Sequence, residues 1–374
     1  MTVIDVAIVG SGIIGAHHAK AIARHPGLRV TALVDARIEA AEALAATLDP
    51  RPSVHLTLAE ALSAQAINLV SICTPSGLHI AAAEETLAAG AHLLIEKPLD
   101  TDLAKARAFA KVAEEAATRG LVTSVVSQHR FDPATVAVGR AVREHRLGRV
   151  TSAVVSMPWW RDQAYYDSAG WRGTWEFDGG GALANQGIHL VDQMLALLGR
   201  PAEVYAQTAL LSHERIEVED VAAATIRFES GALAVLHATT GARPGLPVRL
   251  ALYGTEGSAV LQDDQLEYFH TTTDPQLRAA DLVPPQDVYG AAKDPDGWVT
   301  GHLRQYQDLV DAIGSGRAPG VQVRHGLEAL ALVRSVYVSA GLGRAVSFSE
   351  VLDGAFDDVQ PPPVTPNSSQ GANQ

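Results

Sequence analysis

The sequence predicts an α/β protein in which a doubly wound parallel sheet is followed by an α+β domain with an open, mostly antiparallel sheet. Short apolar runs alternate with helix-periodic segments before residue 128, and longer runs rich in Val and Thr follow them. The chain ends in a segment rich in Pro, Ser, Asn and Gln. We therefore expect domains at residues 1–127 and 128–352 and a disordered tail at residues 353–374.

Five strands and four helices are expected in the N-terminal domain. The apolar runs with strand character are residues 3–9, 29–34, 68–73, 92–95 and 121–127. The segments between them with helical length and composition are residues 16–24, 38–47, 79–89 and 103–118. Strands that alternate with helices in this way form a parallel sheet that is covered by helices.

Longer strands are expected in the second domain. They are predicted at residues 150–157, 203–210, 221–228, 232–238 and 249–253, after a helix at residues 134–145. Turn pairs such as Ser230-Gly231 and Glu256-Gly257 favour antiparallel or mixed pairing. Two more helices, at residues 303–313 and 326–340, complete the predicted α+β domain.

Composition argues against several classes of protein. The formal net charge of -13 disfavours nucleic-acid binding, which needs clustered basic residues, and favours a small-molecule partner. Cys73 is the single cysteine, so no intramolecular disulfide is possible. Neither a signal peptide nor an apolar run of about 20 residues is recognisable, so we expect a cytoplasmic protein that does not bind membranes.

A glycine-rich turn with the sequence GSGIIG occupies residues 10–15, directly after the first predicted strand and before a helix. Its glycines allow a tight turn and a close approach of the backbone to a pyrophosphate, which then lies at the helix N-terminus. Asp35 ends the second strand, where a carboxylate binds ribose hydroxyls and repels a 2′-phosphate. NAD is therefore favoured over NADP, although Arg37 could offset the repulsion. The cofactor-binding residues expected here are Gly10, Gly12, Ile13, Ile14, Gly15, Asp35 and Arg37.

Two further motifs carry groups capable of acid-base chemistry. Glu96-Lys97-Pro98 follows the fifth strand and so falls at the carboxyl edge of the sheet, where doubly wound folds bind their ligands. Asn185 and His189 follow a triple glycine at residues 179–181 and, being four residues apart, share one face of a predicted helix.

Taken together, these motifs resemble the Gfo/Idh/MocA family of sugar and inositol dehydrogenases, and the resemblance covers nearly the whole chain. It implies a Rossmann domain that binds NAD(P) and an open-sheet domain that binds the substrate. Supporting matches are Thr74-Pro75 with His79, Gln128, Arg130-Phe131-Asp132-Pro133, Asp192 and Tyr253-Gly254-Thr255-Glu256-Gly257. The further cofactor-binding residues that the resemblance implies are Thr74, Pro75, His79, Glu96, Lys97 and Gln128.

The resemblance also places Lys97 and His189 at the reacting carbon. Oxidation of an alcohol removes the hydroxyl proton as hydride leaves carbon, so we assign His189 as the proton acceptor and Lys97 as the group that orients the hydroxyl. The reverse assignment is also consistent with the sequence. Many relatives, including inositol dehydrogenases, carry Asp where this chain has Asn185, and the change favours dehydrogenases of sugar nucleotides and other modified sugars.

Aromatic and basic residues are concentrated at residues 159–175, which we call the aromatic segment and which precedes the triple glycine. They indicate a substrate loop. Aromatic faces pack against pyranose rings, and arginines bind anionic groups such as a carboxylate, sulfonate or phosphate. An oligomer interface or a loop core would have a similar composition. The substrate-binding residues expected in the whole chain are Lys97, Arg130, Trp160, Arg161, Tyr166, Trp171, Arg172, Asn185 and His189.

These expectations leave three functional hypotheses. The first is an NAD(P)-dependent dehydrogenase that acts on a secondary hydroxyl of a sugar, sugar derivative or cyclitol. The second is an NAD-dependent glycosidase that uses transient oxidation and elimination, with Tyr165 or Tyr166 as an additional acid or base. The third, a non-catalytic dinucleotide-binding regulator, is disfavoured because Lys97 and His189 are retained. We expect no metal, because no Cys/His cluster has ligand spacing, and a homodimer or homotetramer, because one face of the second sheet is predicted to be apolar and uncovered.

Overall fold

The structure is a computed structural model that describes residues 3–362. The chain folds into two compact units, Met1–Gln128 with Pro295–Leu327, and His129–Asp294 with Glu328–Gln374. The predicted disordered tail lies partly outside the described residues. Its described part contains the end of a helix, Phe348–Asp353, and turns up to residue 358.

The first unit contains a six-stranded parallel sheet. Its strands are β1 (Ile4–Val9), β2 (Leu28–Val34), β3 (Ser53–His55), β4 (Leu69–Ile72), β5 (His92–Ile95) and β6 (Thr123–Val125). Its helices within the first 128 residues are α1 (Ile13–Ala23), α2 (Ile38–Ala45), α3 (Leu58–Ala64), α4 (His79–Ala88) and α5 (Leu103–Thr118). The strand order is β3-β2-β1-β4-β5-β6, so the sheet changes direction between β1 and β4, and ligands bind at this point in doubly wound folds.

The second unit contains an eight-stranded mixed sheet in the order β13-β12-β11-β7-β10-β9-β8-β14. Its strands are β7 (Val150–Pro158), β8 (Pro201–Ala209), β9 (Val221–Phe228), β10 (Leu233–Thr239), β11 (Arg249–Gly254), β12 (Gly257–Gln262), β13 (Gln265–Thr271) and β14 (Val346–Ser347). Only β7 and β10 pair in parallel, and all other neighbours are antiparallel. The predicted fold class is therefore confirmed for both sheets.

One face of this sheet is buried and the other is partly exposed. Residues alternate along the central strands: Ala153 and Val155 of β7 are buried, whereas Val154 between them is 44% exposed. On β10, Val235 lies opposite Val154 and is 48% exposed. The remaining helices of the chain are α6 (Pro133–Arg143), α7 (Gln163–Asp167), α8 (Trp175–Asp178), α9 (Ile188–Leu198), α10 (Gly297–Ser315), α11 (Val323–Leu342) and α12 (Phe348–Asp353).

Helix α10 and the start of α11 belong to the first unit, although sequence reasoning had placed residues 295–327 in the second domain. The buried side chains of α10, which include Val299, Tyr306 and Leu309, belong to the same apolar core as Ile22 of α1. Sequence order alone gives no signal for this return of the chain, because its partners lie far away, with 288 positions between His18 and Tyr306. None of the helices within residues 3–362 is long and apolar enough to cross a membrane.

Several elements of the structure, among them β3, α3, β12 and β13, were not predicted from the sequence. Strand β3 has three residues, and α3 begins with a capping box formed by Thr57 and Glu60. Strands β12 and β13 form a hairpin whose turn residues, Asp263 and Asp264, both have positive φ. Such turns most often carry Asn-Gly or Asp-Gly, so an Asp-Asp turn gives a weak sequence signal.

Candidate active site

The glycine turn after β1 begins α1, as predicted, and its three glycines are required for different reasons. Gly10 has φ +101°, and a Cβ there would lie 2.6 Å from the carbonyl oxygen of Cys73. A Cβ on Gly15 would lie 2.0 Å from the carbonyl oxygen of Gly10. A Cβ on Gly12, in contrast, would meet no protein atom within 4 Å. Packing therefore explains two of the glycines, and the open space at Gly12 fits a pyrophosphate that approaches the backbone.

This difference predicts the effect of Gly12→Ala. The variant is expected to keep its free energy of unfolding within about 1 kcal/mol of the unchanged protein, because the new methyl group meets only open space. Its affinity for NADH, measured by fluorescence titration, is expected to fall about 10-fold or more, since the methyl group occupies the phosphate approach. Gly297→Ala is the control, because that glycine of the same unit also has open surroundings. Unchanged NADH affinity in Gly12→Ala would contradict this assignment.

Polar groups around the turn also suit a dinucleotide. Asp35 Oδ2 accepts the Ser11 N–H at 2.8 Å, and Oδ1 accepts the Arg37 N–H at 2.9 Å, so the carboxylate connects the end of β2 with the turn. The buried Oγ of Ser11 and the buried Oγ1 of Thr74 have no hydrogen-bond partner among the described residues. These hydroxyls are available to a polar ligand on both sides of the β1–β4 switch point.

The apolar and basic residues predicted to contact the cofactor differ in exposure. Ile13 is 73% exposed and Ile14 is 37% exposed, so both present apolar surface beside the turn. Arg37 is also exposed. Gln128 is buried, and its Oε1 has no hydrogen-bond partner in the described part of the chain. These four positions remain predicted cofactor contacts.

His79 lies beneath the surface and supports two loops. It is 1% exposed, its Nδ1 lies 2.8 Å from the carbonyl oxygen of Pro98, and its Nε2 lies 2.9 Å from that of Thr74. The side chain thus connects the loop after β4 with the loop after β5. Because both ring nitrogens are occupied, we assign His79 a positioning role in place of the direct cofactor contact that the resemblance implied.

Glu96 is the centre of a buried network that we call the Glu96 network, formed by Ser71, Tyr306, His18, Glu96 and His302. Glu96 Oε1 accepts from Nε2 of His18 at 3.0 Å and from Nε2 of His302 at 3.2 Å. The Tyr306 hydroxyl lies 2.7 Å from His18 Nδ1 and 2.6 Å from the Ser71 hydroxyl. All five residues are nearly inaccessible to solvent.

The acceptors in this network determine where its protons lie. His302 Nδ1 faces the carbonyl oxygen of Trp298 at 2.7 Å, and its Nε2 faces the Glu96 carboxylate. Both partners are hydrogen-bond acceptors, so each ring nitrogen of His302 lies opposite an acceptor. Burial raises the pKa of Glu96, but hydrogen bonds from His18 and His302 outweigh it and hold that pKa well below its usual value. Burial lowers the pKa of His18 to about 4. His18 is therefore neutral, with its Nε2 donating to Glu96 and its Nδ1 accepting from the Tyr306 hydroxyl.

The Glu96 network also fixes the start of the Lys97 loop. Glu96 Oε2 accepts the Lys97 backbone N–H at 3.1 Å, and Lys97 is partly exposed at the end of β5. Glu96, His18 and His302 have the composition and spacing of a metal site, as do His129, Asp132 and Asp264. In the first cluster, hydrogen bonds already satisfy both nitrogens of each histidine. The absence of a metal remains a prediction.

In the second unit, Asn185 and His189 lie on consecutive helical segments. Asn185 belongs to a π-helical turn, Ala182–Gly187, and His189 is the second residue of α9. The sequence predicted one continuous α-helix here, and π-helical turns of this kind often occur at functional sites. Asn185 Nδ2 donates to Asp178 Oδ1 at 3.1 Å, and Asp178 Oδ2 accepts the Gly173 N–H at 2.7 Å. The Asp178 carboxylate thus orients the Asn185 amide.

The triple glycine is held by a buried acid, Glu219. Its carboxylate accepts the N–H groups of Gly181 at 2.8 Å and Leu183 at 2.9 Å, and the hydroxyl of Tyr337 at 3.1 Å. Burial raises the pKa of Glu219 to about 7, although these donors oppose the shift. A Cβ on Gly181 would lie 1.7 Å from the backbone oxygen of Glu219. Only glycine fits there, so Glu219 and Gly181 together define the start of the π-helical turn.

Two side chains from the 128–131 turn contact α9. The imidazole ring of His129 meets that of His189 edge to face, with the centroids 5.1 Å apart. Burial lowers the pKa of His129, but Asp264 and Asp132 outweigh it and raise that pKa well above its usual value. Arg130, which was predicted to bind substrate, forms two hydrogen bonds of 2.7 Å with Asp192, one turn after His189. Arg130 therefore holds α9, and any contact with substrate uses its remaining donors.

The aromatic segment before the triple glycine contains the other predicted substrate residues. Trp160, Arg161, Trp171 and Arg172 are partly exposed. Tyr166 is 6% exposed, and its hydroxyl bonds to Thr240 at 2.9 Å. Burial raises the pKa of Tyr166 to about 12, so its hydroxyl stays protonated at neutral pH and is a poor general base.

Two family models match the chain. The oxidoreductase family with an NAD-binding Rossmann fold matches residues 4–124, and the GFO/IDH/MocA C-terminal domain matches residues 135–260. The chain belongs to the Gfo/Idh/MocA oxidoreductase family. This confirms the predicted membership, and NAD is the cofactor of this Gfo/Idh/MocA enzyme. When bound, NAD supplies the hydride acceptor for oxidation of an alcohol carbon.

Several relatives of this Gfo/Idh/MocA protein match it along most of their length. Inositol 2-dehydrogenase of Rhizobium meliloti (strain 1021) is 26% identical, with 91% of this chain and 98% of the relative covered. D-apiose dehydrogenase of Paraburkholderia graminis is 28% identical, with 97% of this chain and 93% of the relative covered. The crystal structure of the WlbA dehydrogenase from Bordetella pertussis in complex with NADH and UDP-GlcNAcA matches with a TM-score of 0.81 and 29% identity. The match covers 92% of this chain and 98% of the WlbA chain.

Sequence reasoning missed several supporting residues of this Gfo/Idh/MocA protein. Asp178 directly precedes the triple glycine, so its position beside Asn185 had a readable signal. Glu219, His302 and Tyr306 come from distant parts of the chain, and no motif marks them. Their positions follow only from the tertiary fold.

Proposed function

We propose that this enzyme oxidises a secondary hydroxyl of a sugar or sugar derivative with NAD. The observation that carries the proposal is the set of hydrogen bonds that fixes the segment containing Asn185 and His189. Asp178 orients the Asn185 amide, and Glu219 holds the turn that leads into α9. The sugar dehydrogenases among the relatives and the UDP-GlcNAcA bound to the WlbA structure support a carbohydrate as the substrate.

The proposed roles follow from the chemistry of alcohol oxidation. The carbon atom loses a hydride only as its hydroxyl loses a proton, so a base has to lie at that oxygen. We assign His189 as this base, because a neutral imidazole has a lone pair that can accept the proton. The Lys97 ammonium donates to the same oxygen and stabilises the negative charge that develops there. Asn185 donates to or accepts from a neighbouring hydroxyl and so orients the sugar ring.

Product analysis tests this proposal against the glycosidase and the regulator. A dehydrogenase incubated with NAD and a panel of free sugars, UDP-sugars and glycosides is expected to form NADH and a keto sugar in equal amounts. A glycosidase of the NAD-dependent kind would release the aglycone without net NADH and introduce solvent deuterium next to the transiently oxidised carbon. Sustained aglycone release without NADH, or no turnover of any compound, would contradict the proposal.

We also propose that two copies associate through the uncovered face of the eight-stranded sheet. Val154, Leu233 and Val235 on its central strands, together with Tyr205 and Tyr253, are between 37% and 58% exposed. These side chains lie on one face of the sheet, where exposed apolar residues often mark an interface, and a second copy would cover them symmetrically. Mass photometry tests this proposal, and a particle with the mass of one chain at micromolar concentration would contradict it.

A further inference from the structure

We infer that the substrate carries an anionic group, which Arg161 and Arg172 bind. The inference rests on the proposed function in so far as the ligand is a sugar-like substrate. Both arginines lie in the aromatic segment of the second unit, and neither forms an ion pair within residues 3–362. The Nε atoms of both are buried and have no hydrogen-bond partner in that range.

Aromatic rings hold the two guanidinium groups. The Arg172 guanidinium carbon lies 4.2 Å from the centroid of the Tyr165 ring and 4.6 Å from that of Trp171. The Arg161 guanidinium carbon lies 5.0 Å from the centroids of Tyr165 and Trp159. Tyr165 thus contacts both cations. Stacking covers the faces of a guanidinium but leaves the N–H groups along its edge, and this edge matches the two oxygens of a carboxylate or phosphate.

Another arginine of the same region, Arg215, does have counter-charges. Arg215 pairs with Asp167 at 2.8 Å and with Glu214 at 3.5 Å, so its charge is compensated. His213 likewise has a carboxylate partner: its Nδ1 lies 3.0 Å from Asp220 Oδ2, and its Nε2 lies 2.8 Å from the backbone oxygen of Arg161. Among the residues that the structure describes, carboxylates therefore contact Arg215 and His213 but not Arg161 and Arg172.

A buried amide connects the two arginines with the proposed catalytic segment. Gln186 is 6% exposed, and its Oε1 is buried without a hydrogen-bond partner in the described range. Its Nε2 lies 3.4 Å from the hydroxyl of Tyr165, the ring shared by both arginines. Gln186 directly follows Asn185 in the π-helical turn. An unsatisfied buried acceptor costs about 1–3 kcal/mol, and a sugar hydroxyl that donates to Oε1 would remove this cost.

Binding measurements test the inference without requiring turnover. NADH-loaded protein is titrated calorimetrically with D-glucuronate and D-glucose, and with UDP-glucuronate and UDP-glucose. We expect either each glucuronate to bind about 10-fold more tightly than the matching glucose compound, or both UDP-sugars to bind about 10-fold more tightly than both free sugars. Preference for both glucuronates identifies a sugar carboxylate as the bound anion. Preference for both UDP-sugars over the free sugars identifies the diphosphate only if Arg172→Met and Arg161→Met remove it, because uridine alone would not depend on these cations.

The variants assign any preference to the arginines. Arg172→Met and Arg161→Met are expected to remove it, whereas the control Arg215→Met is expected to keep it, because the charge of Arg215 is already paired. Arg172→Lys retains the charge without the planar fork and is expected to retain only part of the preference. Near-ultraviolet circular dichroism of each variant identifies any loss of folding.

Equal affinity for charged and neutral sugars, absence of measurable binding by all four, or a preference that survives in folded Arg172→Met and Arg161→Met would overturn the inference. These outcomes are independent of NADH production. A protein that prefers anionic sugars but never reduces NAD would contradict the proposed function and leave anion recognition supported. A protein that oxidises neutral and anionic sugars and binds them with equal affinity would support the proposed function and contradict anion recognition.

Discussion

Lys97→Met is expected to lower kcat about 100-fold or more while NADH affinity stays within about threefold. The substitution keeps the apolar stem and removes only the ammonium group, which we assign to the reacting oxygen. The backbone of the Lys97 loop is held by the Glu96 carboxylate through the N–H group, which methionine also has. Steady-state NADH formation and fluorescence titration measure the two quantities separately.

Lys111→Met is the matched control for this prediction. Lys111 is an exposed lysine of α5 in the same unit, so its loss removes the same charge without touching the loop after β5. We expect kcat of the control to be unchanged. A Lys97→Met enzyme that keeps more than about a third of the original kcat would show that the ammonium group is not at the reacting oxygen.

Gly181→Ala is expected to destabilise the protein by about 4 kcal/mol or more, or to prevent folding of the second unit. The added Cβ would lie 1.7 Å from the Glu219 backbone oxygen and 2.9 Å from its Oε2, so backbone has to move. That movement breaks the bonds from Gly181 N to the carboxylate and from Ala182 N to the Glu219 backbone oxygen. Thermal unfolding followed by tryptophan fluorescence measures the loss.

Gly170→Ala provides the comparison, because a Cβ there meets nothing within 4 Å and the backbone does not have positive φ. Its melting temperature is expected to stay within about 2 °C of the unchanged protein. If Gly181→Ala unfolded at the same temperature as Gly170→Ala, the close contact between Gly181 and Glu219 would not be needed for stability. The proposal that Glu219 fixes the Asn185 segment would then lose its support.

Sequence patterns predicted the parts of the molecule that depend on local periodicity. The glycine turn, the alternating strands and helices of the first unit and the mixed second sheet all leave such patterns, and the structure contains them. The outcome was different where the role of a side chain depends on its partners. His79, Glu96 and Arg130 belong to matching motifs, and their hydrogen bonds with Pro98, His302 and Asp192 give them supporting contacts that the motifs do not indicate.

The supporting residues were unpredictable for the same reason. Helix α10 contributes His302 and Tyr306 to a network around a carboxylate much earlier in the chain, with separations of 206 for His302 and Glu96 and 288 for His18 and Tyr306. No local pattern records contacts of this range. The π-helical turn at Asn185 was missed because it spans six residues, which is too short a window for its periodicity to be distinguished from that of an α-helix.

The fixed order of donors and acceptors in the Glu96 network restricts which residues related proteins can carry at these positions. Ser71 donates to Tyr306, Tyr306 to His18, and His18 to Glu96, so each residue supplies the donor that the next one lacks. A chain with Phe in place of Tyr306 would leave the His18 Nδ1 lone pair buried without a donor, at a cost of about 1–3 kcal/mol. Positions 18, 71, 96, 302 and 306 are therefore expected to covary as a set, and single exchanges at any of them to be rare among homologues.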